Sequence, residues 1–510
     1  GHTGRPYTFI LGLDDSRFPG APTQDPLLLD SERRRISGAL ITAACHRDEA
    51  FAEFCCLLSR LRGRVILSHS TRGLADGREQ FPSSVIQDLA RRAMREEQDA
   101  AANPESAGRT LASYVASKQK EALTIGDWWL NQMVLNHGTR NCQAGLFKVY
   151  PHLQRGNLGL SARTSDQLNE FNGLVIDKTS DPERVWSAHR LETLGTCPLR
   201  YFFAYELGLR HPFEFEYDPE QWLSAPARGS LLHEVFELFL KPFIADQRVP
   251  DFERDHHSLV DILGKQIEHY RSLYPPPSST IYEQECRSLH ETVNTFLREE
   301  SAHLSRTGNR PEVLELSLGL PPLGGGTEWD RDEPILLQVN GERQIRIRGR
   351  IDCVERVGGI EGCYTIWDYK TGSPYDYDKN NPFSSGRKIQ AYLYTKMLAT
   401  RLRELFSRET EVEGFGYFFP GERGKGQRIQ WRIDELSRGA AIVNDLLTIV
   451  DNGLFVATDV PGDCTYCEYR TICQRPQEIA GITRGLLQGP DAEKLAAFQR
   501  IRNISQPDEC

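Results

Sequence analysis

The stretch RIRGRIDCVERVGGIEGCYTIWDYKTG, residues 346–372, constrains the fold of this 510-residue chain more than any other. Two runs of β-forming residues flank Gly358, Gly359 and Gly362, which suit a tight turn, so the segment predicts an antiparallel hairpin. Strand side chains alternate between faces. One face takes Ile345, Ile347 and Ile351, and the other takes Arg346, Arg348, Arg350 and Asp352. In the second strand Asp368 and Lys370 share a face, and Tyr369 turns away from them. Antiparallel pairing then brings Asp352 close to Asp368. Two carboxylates so placed repel unless a cation lies between them, and hard oxygen ligands suit Mg²⁺ or Mn²⁺. A lysine one pleat away adds positive charge where an anion develops. Metal and lysine aimed at one point suit hydrolysis of a phosphodiester. Each residue alone fits a solvent-facing place on a half-buried strand; the combination carries the expectation.

Two helical segments add to it. In KIQAYLYTKML, Gln390 and Tyr394 are four apart and share a helix face. In GSLLHEVFELFL, Leu232, Val235, Phe236 and Phe239 form an apolar stripe with His233 at its edge. A Gln–Tyr pair at this spacing is by itself an ordinary surface feature, and a lone histidine an ordinary packed or capping one.

Together GRID (349–352) and DYKTG (368–372) resemble the PD-(D/E)XK nucleases, in the versions found in RecB-type and AddB-type domains. The resemblance implies an α/β restriction-endonuclease-like core with flanking helices. It implies that His233, Asp352, Asp368 and the Tyr369 carbonyl ligate Mg²⁺ or Mn²⁺. Asp352, Asp368 and Lys370 are then catalytic, and Gln390 and Tyr394 contact DNA. The arginine row at 346, 348 and 350 is positioned to meet phosphates, and Glu315, in EVLELSLG, is a secondary site residue.

Twelve cysteines without a signal peptide point to a reducing, cytoplasmic setting, where thiols serve metals or chemistry. Cys464, Cys467 and Cys473 form C-x2-C-x5-C, whereas Cys197 stands alone in TCPLRYFF. A structural zinc usually takes two short pairs; four thiolates also satisfy a [4Fe–4S] cube, and unliganded thiols are the third reading. The one-plus-three layout is similar to the iron–sulfur staple of AddB-type nuclease domains, which implies a cluster clasping the domain. Cys45, Cys55 and Cys56 are expected to be small buried hydrophobes.

YTFILGLDDSRFPG, with a buried strand from Tyr7 to Leu13, DPLLLDSERRR and FCCLLSRLRGRVILSHS alternate strand, helix and strand. They resemble the closing part of a superfamily 1 helicase domain. The chain has no G-x-x-x-x-G-K-[ST], so no ATPase activity is expected from it. The expected domains are a helicase-like segment at 1–95, a helical linker at 96–185, the nuclease at 186–480 and a helical tail at 481–510. The start, GHTGRPYTFILGL, has no basic n-region or apolar h-region and reads as an internal start. No apolar run approaches the length of a membrane span.

A net charge of −10 argues against a surface coated in non-specific nucleic-acid-binding charge, while leaving room for a local basic groove. The resemblance implies a DNA exonuclease acting on single-stranded ends, partnered by an AddA-type helicase subunit in double-strand-break repair. A catalytically weak DNA-binding scaffold and a stand-alone defence nuclease are the other settings for such a chain.

Overall fold

The computed structural model describes residues 4–503 apart from 21–24, 26, 72–78, 97–121, 123, 136–139, 177–180, 182, 211–217, 323–325, 342, 407–408 and 474. Much of the charged, alanine-rich run between 90 and 102 lies outside the described residues, as does the centre of the glycine turn at 321–329. The chain divides into two units, Gly1–Tyr150 and Pro151–Cys510.

In the first unit, β1 (Tyr7–Ile10), α1 (Asp30–Ile36), α2 (Ala43–Arg60) and β2 (Arg64–Leu67) form a strand–helix–strand crossover with parallel strands. Helices α3 (Ser84–Glu96), α4 (Ile125–Leu135) and α5 (Arg140–Val149) follow. Its core is small, built on Leu13, Phe54 and Val85. Two expectations fail here. The first strand is not buried, since Tyr7 and Phe9 are 58% and 65% exposed. Cys45, Cys55 and Cys56 are exposed as well, because α2 turns them away from Phe54, its one buried residue.

The second unit opens with α6 (Pro151–Arg163), β3 (Val185–Trp186), α7 (Ala188–Thr196) and α8 (Pro198–Tyr201). Three long helices follow: α9 (Ala225–Asp246), α10 (Phe252–Leu273) and α11 (Ser279–Thr307). Next come β4 (Arg310–Leu318), β5 (Ile335–Asn340), β6 (Arg343–Ile347), β7 (Gly349–Arg356) and β8 (Cys363–Tyr369). Helix α12 (Gln390–Leu405) leads to β9 (Glu411–Phe419) and β10 (Gln427–Arg432), then α13 (Gly439–Asp451), α14 (Arg470–Cys473), α15 (Pro476–Leu486) and α16 (Ala496–Arg502).

Strands β10-β9-β8-β7-β4 form the main sheet in that order. The β7–β8 hairpin is antiparallel, with Gly359 and Gly362 at positive φ in its turn. Strands β8 and β9 are parallel and joined by α12, as a parallel pair requires a crossover. One face of the sheet packs under α9, α10 and α11, through Phe236, Phe239, Leu263, Phe296, Trp367 and Phe418. The other packs under α7, α12, α13 and α16, through Leu194, Ile366, Met397, Leu446 and Phe498. Every residue of β8 is buried, the burial typical of a strand covered on both faces.

The division into units falls at 150/151, and Leu168 already belongs to the core of the second unit. The expected tail is likewise integral, because Leu486, Leu495, Phe498 and Ile501 are buried in the same core. The arginine row is also not one strand. The chain leaves the β3-β6-β5 sheet at Ile347 and enters the main sheet at Gly349, so Arg346 and Arg350 belong to different sheets. Among the described residues no helix is long and apolar enough to cross a membrane.

Phe498→Ala should therefore lower stability by roughly 3–5 kcal/mol, the usual result of emptying a packed aromatic position. Chemical denaturation measures it, and an unchanged midpoint would show that α16 is a detachable tail.

Candidate active site

The β7–β8 ladder runs to the pair Cys353–Trp367, and one step further stand Asp352 and Asp368. There the ladder gives way, and the Tyr369 amide donates to Asp352 Oδ2 at 2.7 Å. On the other side of β7, Glu315 falls between the pairs Leu314–Cys353 and Leu316–Ile351, hence opposite Asp352. Its φ of +48° is a left-handed conformation inside a strand. For a non-glycine residue that costs on the order of 1–3 kcal/mol, and such strain concentrates at functional sites.

Helix α9 brings His233 to the same end of the sheet. Its Nδ1 lies 3.5 Å from Glu315 Oε1 and 3.6 Å from Asp352 Oδ2, and its Nε2 lies 2.9 Å from the Tyr369 carbonyl. Ligating atoms of His233, Glu315 and Asp352 all fall within 4.8 Å of one another. Glu315 thus stands beside His233 and Asp352 as a full member of the group rather than a secondary one.

Asp368 shares the face of Ile366 and looks toward α12. Its Oδ1 accepts from Gln390 Nε2 at 2.6 Å, and Lys370 Nζ lies 2.6 Å from its Oδ2. The Tyr417 hydroxyl donates to Gln390 Oε1 at 3.2 Å, which turns the amide nitrogen toward Asp368. Tyr417 sits in GFGYFF, where nothing local marks it; only the parallel β8–β9 pairing brings it alongside Asp368. Tyr394 does not reach the surface expected of a DNA contact. It is 8% exposed and packs on Gly349, where an added Cβ would stand 2.8 Å from the ring.

Burial pushes the Asp352 carboxyl up to about 7, and the Asp368 and Glu315 charges add to the shift. Burial by itself would lower His233, but Asp352 and Glu315 outweigh it and raise the imidazole to about 9. For Lys370, Asp368 likewise overcomes burial, so the ammonium stays charged. The carboxyl groups of Glu315, Asp352 and Asp368 share the cluster with the His233 imidazole and the Lys370 ammonium. That donor set of carboxylates, imidazole and backbone carbonyl fits a hard divalent ion, whose binding displaces protons.

The arginines are unequal. Arg346 pairs with Glu183, and Arg350 donates to Ser317 Oγ at 3.1 Å and the Pro321 carbonyl at 3.3 Å. Arg348 has an exposed side chain.

Far from Cys197 in sequence, Cys464, Cys467 and Cys473 line one cavity with it, together with Phe203, Tyr469 and Ile479. None of the four forms a disulfide. Burial pushes Cys197 up to about 12, although the backbone N–H groups of Arg200 and Thr458 donate to its sulfur.

The PD-(D/E)XK nuclease superfamily model matches residues 185–474, more than half of the chain, and the chain belongs to that superfamily. Its members use divalent metal ions. Among curated proteins, it is 25% identical over 402 residues to the B subunit of the ATP-dependent helicase/deoxyribonuclease of Symbiobacterium thermophilum, covering 73% of this chain and 32% of that one. The proteins of the same name from Desulforamulus reducens and Clostridium tetani are 24% and 21% identical, each match covering 80% of this chain and 35% of the relative. The chain thus spans about a third of the length of these relatives. They agree with the AddB-type resemblance of its motifs.

Between about pH 4 and 7 the folded protein keeps a proton on Asp352 that the unfolded chain has released, so stability falls as pH rises through that window. His233 acts in the same direction between about 6.5 and 9. In EDTA at pH 8, Asp352→Asn should therefore melt above the wild type, by about 1–1.5 °C for each kcal/mol recovered in a unit of this size. Equal melting at pH 5 and pH 8 for the two proteins would show that ionised Asp352 carries no such penalty.

Proposed function

We propose that this chain is the nuclease-bearing part of a helicase–nuclease subunit and cleaves DNA at single-stranded ends, using the site at the end of the β7–β8 hairpin. The convergence of His233, Glu315 and Asp352 beside the Asp368–Lys370 pair carries the reading. His233 as a neutral imidazole, Glu315, Asp352, Asp368 and the Tyr369 carbonyl would hold one or two Mg²⁺ or Mn²⁺ ions. A divalent ion bound there would lower the pKa of water and screen the scissile phosphate. Lys370, being charged, acts as an electrostatic stabiliser of the phosphorane-like transition state rather than as a base. Gln390 holds Asp368 in its orientation. Arg348 is free to meet a phosphate; Arg346 and Arg350 would first exchange their present partners.

The four cysteines we assign to a [4Fe–4S] cluster. The gathering of Cys197 with the distant Cys464, Cys467 and Cys473 around one cavity, in a one-plus-three layout unlike the two short pairs usual for zinc, supports this reading. A cluster there would tie Cys197 to the segment after α13, closing a long loop of the unfolded chain.

The relatives' name, which makes each of them part of an ATP-dependent helicase/deoxyribonuclease, supports an AddA-type motor subunit as partner. The crossover of the first unit, without a Walker sequence, supports a helicase-like scaffold that leaves ATP hydrolysis to that partner.

Anaerobically purified protein should degrade end-labelled single-stranded DNA with Mg²⁺ or Mn²⁺ and not in EDTA. Asp368→Ala and Lys370→Ala should each slow cleavage about 10²-fold or more. Cleavage that survives EDTA or the Asp368 change would sink the assignment. Cys467→Ala should lose the visible absorbance of the cluster and lower the melting temperature; a brown variant with full thermal stability would refute the clasp.

A further inference from the structure

Helix α12 begins at Gln390, the residue that grips Asp368, yet it lacks a cap of its own. Its N-cap residue is Ile389, fully buried and with no side-chain acceptor, where helices favour Ser, Thr, Asp or Asn. The missing acceptor comes from another helix. Glu192, on α7, accepts through Oε1 from the backbone N–H of Ile389 at 2.8 Å and of Gln390 at 3.1 Å. A carboxylate there also faces the positive end of the α12 dipole.

We propose that Glu192 is a positioning residue for the nuclease site: it fixes the first turn of α12 and through Gln390 sets the Asp368 carboxylate. The inference rests on the nuclease reading and extends the machinery to a residue outside the motifs.

The surroundings make Glu192 a rigid support. Gly195, one turn further along α7, lies against the Gly386 carbonyl so closely that no side chain fits between them. Arg502 binds the carbonyls of Gly195 at 2.7 Å, Ser385 at 2.8 Å and Thr196 at 3.1 Å, locking α7 to the loop that leads into α12. With α7 fixed to that loop, the Glu192 carboxylate has little freedom, and neither has the Gln390 backbone. From Gln390 the chain of contacts is short: Nε2 to Asp368 Oδ1, with the amide oriented by Tyr417. Removing the acceptor leaves two amide N–H groups without their partner and frees the helix start to shift.

Mn²⁺ binding by titration calorimetry, and the Mn²⁺ dependence of single-strand cleavage, should be measured on the full chain for Glu192→Ala, Glu192→Gln, Gln390→Ala and the Glu192→Ala/Gln390→Ala double variant. Glu192→Ala should weaken Mn²⁺ binding about tenfold or more, the usual consequence of losing a support behind a ligand. Glu192→Gln, which keeps an acceptor oxygen, should recover most of it. The double variant should bind Mn²⁺ no worse than Gln390→Ala alone, since both changes act through one contact. A lowered melting temperature with unchanged Mn²⁺ affinity, or fully additive losses in the double variant, overturns the proposal. A wild type that binds Mn²⁺ without cleaving DNA overturns the nuclease reading instead, and the calorimetric comparison still decides the role of Glu192.

Discussion

Like charges gathered in a buried place must be held there by something, and in this protein the holding is mechanical. Asp352, Asp368 and Glu315 converge at one end of a sheet covered on both faces, where burial and mutual repulsion push Asp352 far above the usual carboxylate range. The arrangement persists because β7 is paired on both sides and β8 is packed along its whole length. The side chains cannot separate without breaking the ladders that carry them. An imidazolium from α9 and the Lys370 ammonium offset part of the charge, and a divalent ion at the proposed site would complete the balance.

That arrangement accounts for features that look incidental one at a time. Glu315 adopts a left-handed conformation within a strand, and there it sets a third carboxyl group opposite Asp352. Gly349 admits the Tyr394 ring against the strand, so Tyr394 serves α12 packing while Gln390, one turn earlier, serves the site. Tyr369 uses three parts of itself: its ring packs on Phe236 and Phe296, its amide holds Asp352, and its carbonyl meets His233.

Much of this was legible in the chain. Period-two alternation placed Asp368 and Lys370 on one face and Tyr369 on the other, and the glycine turn set Asp352 opposite Asp368. Helical spacing put His233 at the edge of an apolar stripe. The misreadings have a common cause. Alternation counts residues and is blind to the Arg348 step between two sheets, so Arg346 and Arg350 read as neighbours on a strand they do not share. An exposed cysteine in an apolar helix and a buried tyrosine at surface-like spacing read alike until the packing partner is known.

By itself the sequence determined the local elements and the chemistry they carry: the hairpin, its acids and lysine, the cysteine triplet, and the absence of a phosphate-binding loop. Those follow from backbone preference and side-chain type, which act within a few residues. Only the tertiary structure decided that Glu315 joins the site, that Glu192 caps a helix 197 positions away, and that the last helices belong to the core. Such contacts exist only after distant segments pack, and their geometry is set by the two layers of helices closing on the sheet.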